Sequence, residues 1–139
     1  MSRYRAQIKE VINRNMLVSL ALDKGYNAFL PVYDSGIDLI LYNERDDETK
    51  LVQLKGRWII DKKYVGRNIW IAFQDKGRWY LAPHDKMIEH ADRYGYTETS
   101  SWIKGGAYST PGLSKVQIGD LAVYAFDPLE KVAAAAATD

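Results

Sequence analysis

Apolar residues recur at helical spacing near the start of the chain and at strand spacing after it. From Ser2 to Lys24, one face of a helix collects the positions Ile8, Val11, Ile12, Val18, Ser19 and Leu22. Gly25 follows as a C-terminal stop, so the pattern predicts a first helix over residues 2–24. A short strand is predicted next at residues 28–32, where Pro31 indicates a sheet edge or a strand end.

Two apolar runs with alternating polar positions follow, Gly36–Tyr42 and Leu51–Gly56, and the acidic link between them predicts a hairpin loop. In the second run, Gln53 and Lys55 share one face of the strand. If the two strands pair antiparallel, the carboxylate of Asp38 converges with these two side chains on one side of the sheet. Unpaired polar groups are costly to bury in apolar strands. A divalent metal beside a lysine would offset that cost.

The rest of the chain is predicted to consist of short strands and one helix. The predicted strands are residues 57–60, 68–73, 79–82 and 121–126, and the predicted helix is residues 86–94. Residues 57–60 are expected to extend or bend the strand that carries Lys55. The stretch 97–119 is rich in Ser, Thr and Gly and predicts a long loop with at most one brief regular element. We expect one domain over residues 1–130 and an Ala-rich tail over residues 131–139.

Composition excludes several classes of site. Apolar residues make up 47% of the chain, enough for a packed interior, and the absence of cysteine excludes disulfides, thiolate chemistry and cysteine-based zinc sites. The two histidines, His84 and His90, are too few and too isolated for a typical zinc cluster. No run reaches membrane-spanning length and the N-terminus lacks a signal-peptide segment, so we expect a cytoplasmic protein with no membrane partner.

Charge is unevenly distributed, although the net charge is only +1. Between residues 53 and 78 there are seven basic residues against Asp61 and Asp75, whereas the stretch 34–50 is acidic. A metal-dependent enzyme that acts on a phosphodiester needs such a basic segment after an acidic patch. A solvated surface loop gives the same pattern, and the sequence leaves both interpretations open.

Short motifs on the first helix and on the two apolar runs carry a family resemblance. The order of these elements, with Asp38 on one strand and Gln53-Leu54-Lys55 on the next, resembles the PD-(D/E)XK (restriction-endonuclease-like) nuclease superfamily. The chain is most similar to its group I intron-associated endonucleases, which carry a Gln-X-Lys motif. Glu10 matches the glutamate that many members place on the preceding helix. The match covers about residues 2–55, with some support as far as Tyr94. It lacks the Pro-Asp dipeptide of the family and has an amide where most members have an acid.

The resemblance implies an α/β (α+β) fold with a restriction-endonuclease-like core, in which helices flank a central mixed β-sheet. It also implies a DNA endonuclease that depends on Mg²⁺, for which Mn²⁺ can substitute, with Asp38, Gln53 and Glu10 as metal ligands. Lys55 would stabilise the developing charge or position the attacking water. An amide oxygen coordinates a hard cation but brings no charge, so Gln53 predicts weaker magnesium binding unless Glu10 compensates.

Two partners are expected, DNA and a second copy of the chain. Side chains that can contact DNA are Arg57, Trp58, Lys62, Lys63 and Arg67. One small domain covers only part of a duplex, and two strand cuts call for two sites related by symmetry, so a homodimer or a higher homo-oligomer is expected.

Other interpretations of the same residues stay open in the sequence. Asp38 and Lys55 can form a plain cross-strand salt bridge, Glu10 can be a solvated helix residue, and Trp58 can belong to the core. Asp34 is expected to cap its turn. The competing function is a nuclease-fold DNA-binding or assembly module with weak or no catalysis, which the uncharged Gln53 favours.

Overall fold

A long N-terminal helix packs against one face of a five-stranded sheet. The computed structural model describes residues 2–127. The helices are α1 (Ser2–Asp23), α2 (His84–Tyr94), α3 (Ser100–Gly105) and α4 (Lys115–Leu121). The strands are β1 (Tyr26–Phe29), β2 (Leu39–Asn43), β3 (Glu48–Leu54), β4 (Ile59–Asp61), β5 (Ile69–Asp75), β6 (Arg78–Pro83) and β7 (Ala107–Ser109). The Ala-rich tail predicted for residues 131–139 lies outside the described residues.

The main sheet is mixed, as predicted. Its strand order is β1-β2-β3-β5-β6, and β3 pairs with β5 in parallel while the other neighbours are antiparallel. A parallel pair needs a long crossover, and here the crossover carries β4. Parallel pairing also brings the C-terminal ends of β3 and β5 to the same edge of the sheet. Helices flank this sheet, and the predicted fold class is confirmed.

Alternation along β2 and β3 divides their side chains between two apolar clusters. Leu39, Leu41 and Val52 are fully buried in the cluster that includes Leu17 and Ala21 of α1. The intervening side chains of β2 and β3 pack toward a second cluster on the opposite face. Fully burying one such aliphatic side chain contributes about 1.5–3 kcal/mol. This alternation fixes the strand register and with it the face on which Asp38 and Gln53 lie.

Helix α1 packs on the sheet by a different face from its richest apolar stripe. Its buried residues are Leu17 and Ala21, whereas Ile8, Val11 and Ile12 of the predicted stripe are exposed. The prediction of the helix is therefore confirmed, but the stripe does not mark its packing face. Apolar side chains of β2 and β3 pack with the C-terminal half of α1, whereas its N-terminal half lines a polar cleft.

The predicted strand at residues 121–126 is wrong, since α4 ends at Leu121 and a 3-10 turn follows over Ala122–Tyr124. Ser114 and Gln117 form a reciprocal capping box that starts α4 and directs the following residues into helix. Of the predicted strand, only Ala125 forms an isolated β-bridge, with Tyr80.

The predicted long loop at residues 97–119 is also wrong, because it contains α3, β7 and most of α4. Residues 57–60 do not extend β3. Instead, β4 pairs with β7 in a separate two-stranded sheet, and Trp58 and Ile60 are buried in the second apolar cluster. Strand β1 lies at Tyr26–Phe29, slightly earlier than predicted. Within residues 2–127, no helix has the length and apolar character needed to cross a membrane.

Candidate functional site

A cleft of about 1040 Å³ lies where the ends of β3 and β5 meet the N-terminal half of α1. The four residues predicted for the site all line it, and they are Glu10, Asp38, Gln53 and Lys55. They come from α1, from the residue before β2, from β3 and from the residue after β3. The fold therefore brings these four side chains to one cavity, although they span 45 residues of sequence (10 to 55).

Asp38 is held by two hydrogen bonds to the backbone of β3. Its N–H donates to the carbonyl of Val52 over 2.9 Å, which continues the β2–β3 ladder beyond the first strand residue. Its carboxylate oxygen Oδ2 accepts a hydrogen bond from the N–H of Leu54 over 2.7 Å. The paired register of β2 and β3 ends at Leu39 and Val52, and Asp38 lies directly beyond it, where it lines the cleft together with Gln53.

The pKa of Asp38 is raised above its ordinary value, chiefly because partial burial disfavours the charged carboxylate. The hydrogen bond from Leu54 and the charge of Lys55 oppose this effect, while Asp34 and Glu10 reinforce it. Two further carboxylates therefore act on Asp38 across the cleft. Such a group is stabilised by a bound cation, because the cation removes the mutual repulsion.

Gln53 presents an acceptor that the described residues leave unused. Its side-chain oxygen Oε1 is buried and has no hydrogen-bond partner within residues 2–127. The strand holds it firmly, since β3 pairs in parallel with β5 and places Gln53 beside Ile71. A buried polar group without a partner costs about 1–3 kcal/mol. A metal ion in the cleft would give this oxygen the partner that it lacks.

Lys55 follows β3 and stays in the sheet ladder through its backbone. Its N–H donates to the carbonyl of Ala72 over 2.8 Å, and its Nζ lies 5.8 Å from the ring centroid of Tyr64. Among the ion pairs of the described residues, none within 4.0 Å joins Lys55 to Asp38. The plain salt bridge is thus not formed, and the two charges interact only at longer range.

Glu10 and Asp34 add to the acidic lining of the cleft. Glu10 is exposed on α1, yet close enough to raise the pKa of Asp38. Asp34 accepts a hydrogen bond from the N–H of Gly36 over 2.8 Å, so it caps its turn as expected. Within residues 2–127, no group of three or more His, Asp or Glu side chains is arranged to hold a metal ion. The donor set is instead carboxylate plus amide, and hard oxygen donors of this kind fit Mg²⁺ or Mn²⁺.

The residues predicted to contact DNA divide into two groups. Arg57, Lys62, Lys63 and Arg67 are exposed. Trp58 is only 1% exposed and packs edge-on against Tyr96 with ring centroids 5.7 Å apart. The structure thus decides between the two interpretations of Trp58 in favour of the core, and its ring is not available for stacking on a base.

The sequence did not single out the cationic part of the cleft. Lys9 and Arg14 line it from α1, and Lys76 lines it from the turn between β5 and β6. A signal was nevertheless present in the sequence. Lys9 and Arg14 lie on either side of Asn13, and Asn13 is four residues before Leu17 on the buried face of the helix.

Comparison with known proteins shows a similarity in structure rather than in sequence. No protein-family model matches the chain, and no curated protein matches it in sequence. Among solved structures, it is similar to a bacterial homing endonuclease, I-Ssp6803I, with a TM-score of 0.53 and 18% sequence identity. The alignment covers 96% of this chain and 97% of that chain. The two chains share a fold. At this level of identity the likeness concerns the fold, and assignment to the PD-(D/E)XK superfamily stays a prediction.

Proposed function

We propose that this protein is a metal-dependent DNA endonuclease that hydrolyses phosphodiester bonds. The observation that carries the proposal is the cleft in which a partly buried carboxylate, an unpartnered amide oxygen and an ammonium group lie together. The shared fold with a bacterial homing endonuclease supports the same class of reaction.

Asp38 and Gln53, with Glu10 beside them, would hold Mg²⁺, and Mn²⁺ can take its place. When bound, the ion polarises the phosphate and lowers the pKa of a water molecule. The backbone N–H of Leu54 fixes Asp38, so one carboxylate oxygen is already occupied and the other is left for the metal. Gln53 Oε1 gives a second oxygen at no cost in desolvation, because it is already buried.

Lys55 acts on the substrate side of the site. Its ammonium group stabilises the negative charge that develops on the phosphoryl oxygens and orients the attacking water. Because Asp38 forms no direct ion pair with it within the described residues, the ammonium donors can turn toward a phosphate. Its backbone position in the sheet limits where the side chain can reach.

The exposed cations of the crossover would bind the DNA backbone next to this site. Arg67 reaches the turn that precedes Asp38, where its Nη1 is 3.8 Å from the position that a Cβ on Gly36 would take. Arg57, Lys62 and Lys63 are exposed in the same crossover. Each phosphate contact of this kind adds affinity that falls with rising salt concentration.

A homodimer or a higher homo-oligomer would carry out cleavage of both strands, since each domain contributes one site. The exposed apolar stripe of α1, formed by Tyr4, Ile8, Val11, Ile12 and Met16, supports association. Light scattering coupled to size exclusion tests this part, and a strictly monomeric protein that cuts both strands at one position would contradict it.

The experiment that tests the activity is cleavage of supercoiled plasmid in Mg²⁺, in Mn²⁺ and in EDTA. The wild-type protein is expected to cut with either metal and to be inert in EDTA. Asp38→Ala and Lys55→Ala are expected to abolish cutting while largely sparing DNA binding. A wild-type protein that is inert with both metals would remove the enzyme proposal.

A second function is favoured by Gln53, which brings no charge to the metal. It is a nuclease-fold DNA-binding or assembly module with weak or no catalysis. This module would bind DNA with strong salt dependence but leave plasmid intact in Mg²⁺ and Mn²⁺. The variant Gln53→Glu separates the two functions, because an added carboxylate that produces cutting would identify a nuclease site weakened by the amide.

A further inference from the structure

Three cationic side chains line the cleft in addition to Lys55. They are Lys9, Arg14 and Lys76. None of them has a carboxylate partner within 4.0 Å among the ion pairs of residues 2–127. The proposed metal site and Lys55 do not use them. Their charges are therefore available to a ligand that enters the cleft.

We infer that Lys9, Arg14 and Lys76 form a binding subsite for the phosphates that flank the scissile phosphate on the same DNA strand. The inference rests on the proposed function, because it takes a nucleic-acid strand as the ligand of the cleft. It places the strand across the cleft between α1 and the β5–β6 turn. The basic crossover of Arg57 to Arg67 lies outside this cavity and would contact other parts of the duplex.

The helix side of the subsite is fixed by a hydrogen bond to the sheet. Asn13 Oδ1 accepts from Gln74 Nε2 over 3.0 Å, which ties α1 to the end of β5. Lys9 lies one helical turn before Asn13 and Arg14 directly follows it, and both line the cleft. One turn further on, Leu17 is fully buried, so the backbone from which both cations project is held against the sheet.

The turn side of the subsite is equally constrained. Strands β5 and β6 pair up to Asp75 and Arg78, which leaves Lys76 and Gly77 as a two-residue turn. Both have positive φ, 50° and 81°, as a tight hairpin turn of this type requires. The carboxylate of Asp75 accepts a hydrogen bond from the N–H of Leu113 over 3.2 Å, which anchors the turn to the segment behind it. Lys76 therefore projects from a rigid turn.

The cleft is lined by acids and bases in equal number. The lining contains four acids, Glu10, Asp34, Asp38 and Asp75, and four bases, Lys9, Arg14, Lys55 and Lys76. The charges that influence the Asp38 carboxylate are those of Asp34, Lys55 and Glu10. The acids around Asp38, with Lys55, suit a cation and the scissile phosphate, and the three remaining bases suit the neighbouring anionic phosphates. A neutral small molecule would need neither arrangement.

The test is DNA binding as a function of salt, measured in EDTA by fluorescence anisotropy on a labelled duplex. The variants are Lys9→Gln, Arg14→Gln, Lys76→Gln and the triple variant, which keep part of each stem but remove the charge. The matched control is Lys115→Gln, on the exposed first turn of α4 and outside the cleft. Thermal unfolding of each variant is recorded alongside.

Each neutralised phosphate contact lowers the slope of log Kd against log salt by about 0.9. The triple variant is expected to lose about 2–3 from this slope, and the control is expected to keep the wild-type slope. A merely structural role would move the melting temperature and leave the slope in place. A triple variant with the wild-type slope would overturn the subsite, as would a control that loses as much slope as each single variant.

Plasmid cleavage by the wild-type protein is run in parallel, so the two proposals fail separately. A protein that cuts plasmid, but whose triple variant keeps the full salt slope, has a nuclease site without this subsite. A protein that cuts in neither metal, but loses slope in the triple variant, has the subsite without catalysis.

Discussion

Asp127 and Asp38 are two aspartates that the sheet holds in opposite electrostatic conditions. Asp127 is 6% exposed, and both of its oxygens are used: Oδ2 accepts from Arg78 Nε over 3.1 Å and Oδ1 from the N–H of Trp79 over 3.2 Å. Asp38 accepts one hydrogen bond, from Leu54, and has carboxylates as neighbours. The charge of Asp127 is therefore balanced by its hydrogen-bond partners, whereas the charge of Asp38 is not.

This contrast distinguishes a carboxylate that stabilises the fold from one that is available to bind a ligand. A buried carboxylate that is paired with a guanidinium and a backbone N–H contributes to stability and has no capacity left for a ligand. A partly buried carboxylate with a raised pKa and an unpartnered amide oxygen nearby is costly until a cation arrives. We expect selection for catalysis, rather than for stability, to maintain the second arrangement.

The largest expected effect that separates the two aspartates is on cleavage. Asp38→Asn keeps an oxygen for the Leu54 N–H but removes the charge that would bind the metal. We expect plasmid cleavage to fall by about 10²–10⁴-fold, measured under single-turnover conditions. Asp127→Asn, assayed below its melting temperature, is expected to cut at nearly the wild-type rate per folded molecule. Equal losses in the two variants would erase the distinction.

The next effect is on stability, where the loss of Asp127 should matter more than the loss of Asp38. Asp127→Ala leaves the Trp79 N–H unpaired and removes the partner of Arg78, so the free energy of unfolding should fall by about 2–3 kcal/mol. Asp38→Asn should be at least as stable as the wild type in EDTA. Urea denaturation followed by tryptophan fluorescence measures both. A metal-free Asp38→Asn protein that loses as much stability as Asp127→Ala would show that Asp38 is structural.

Substitutions of Gln53 test the same contrast through the metal concentration that cleavage requires. Gln53→Glu adds a charge beside Asp38, and we expect the metal concentration for half-maximal cleavage to fall by about tenfold, as for other changes close to a metal. Gln53→Met is the matched control, since it keeps the length of the side chain but removes the acceptor, and it should need more metal. If Gln53→Glu and Gln53→Met shift the metal requirement in the same direction, Gln53 is not a ligand.

The smallest expected effect is on the pH dependence of stability. The pKa of Asp38 is raised in the folded state above its ordinary 3.8, so its contribution to stability is present below pH 3.8 and is lost as pH rises through the folded pKa. In EDTA, the advantage of Asp38→Asn over the wild type should therefore grow between pH 4 and pH 7. Saturating Mg²⁺ should reduce it, because only the wild type gains the ligand.

His84 and His90 contribute a pH dependence of stability that is opposite in sign to that of Asp38. It does not affect the comparison of the wild type with Asp38→Asn. Burial lowers the pKa of both, so their contribution to stability is lost as pH falls below 6.5. Because both proteins carry these histidines, the difference between the wild type and Asp38→Asn removes their contribution. A difference that stays constant from pH 4 to pH 7 would contradict the electrostatic account of Asp38.

The sequence predicted those parts of the molecule that local patterns determine. Alternation placed Asp38 and Gln53 on one face, and helical spacing placed Glu10 beside Leu17 and Ala21, which the structure shows to be the buried side of α1. The exposed stripe of Ile8, Val11 and Ile12 was misleading because burial depends on which face meets the sheet, and no local pattern contains that information.

The other errors have the same origin in long-range contacts. Of the predicted strand at residues 57–60, only Ile59 and Ile60 are in β4, and their partner is β7, about 50 residues later. Pairing at that distance leaves no local signal. Ala122 to Phe126 have strand-forming composition, yet a capping box only a few residues earlier starts a helix that continues into them as a 3-10 turn. The cationic side of the cleft was missed because its members come from α1 and from the β5–β6 turn, which meet only in the folded chain.

Asp38 and Gln53 are proposed to hold a divalent cation beside Lys55. The most direct test is anomalous diffraction from crystals soaked in MnCl₂. We expect a manganese peak bonded to an Asp38 carboxylate oxygen and to Gln53 Oε1. In Asp38→Asn crystals this peak should be absent. Manganese bound elsewhere, with the cleft empty in a protein that cuts DNA in Mn²⁺, would contradict it.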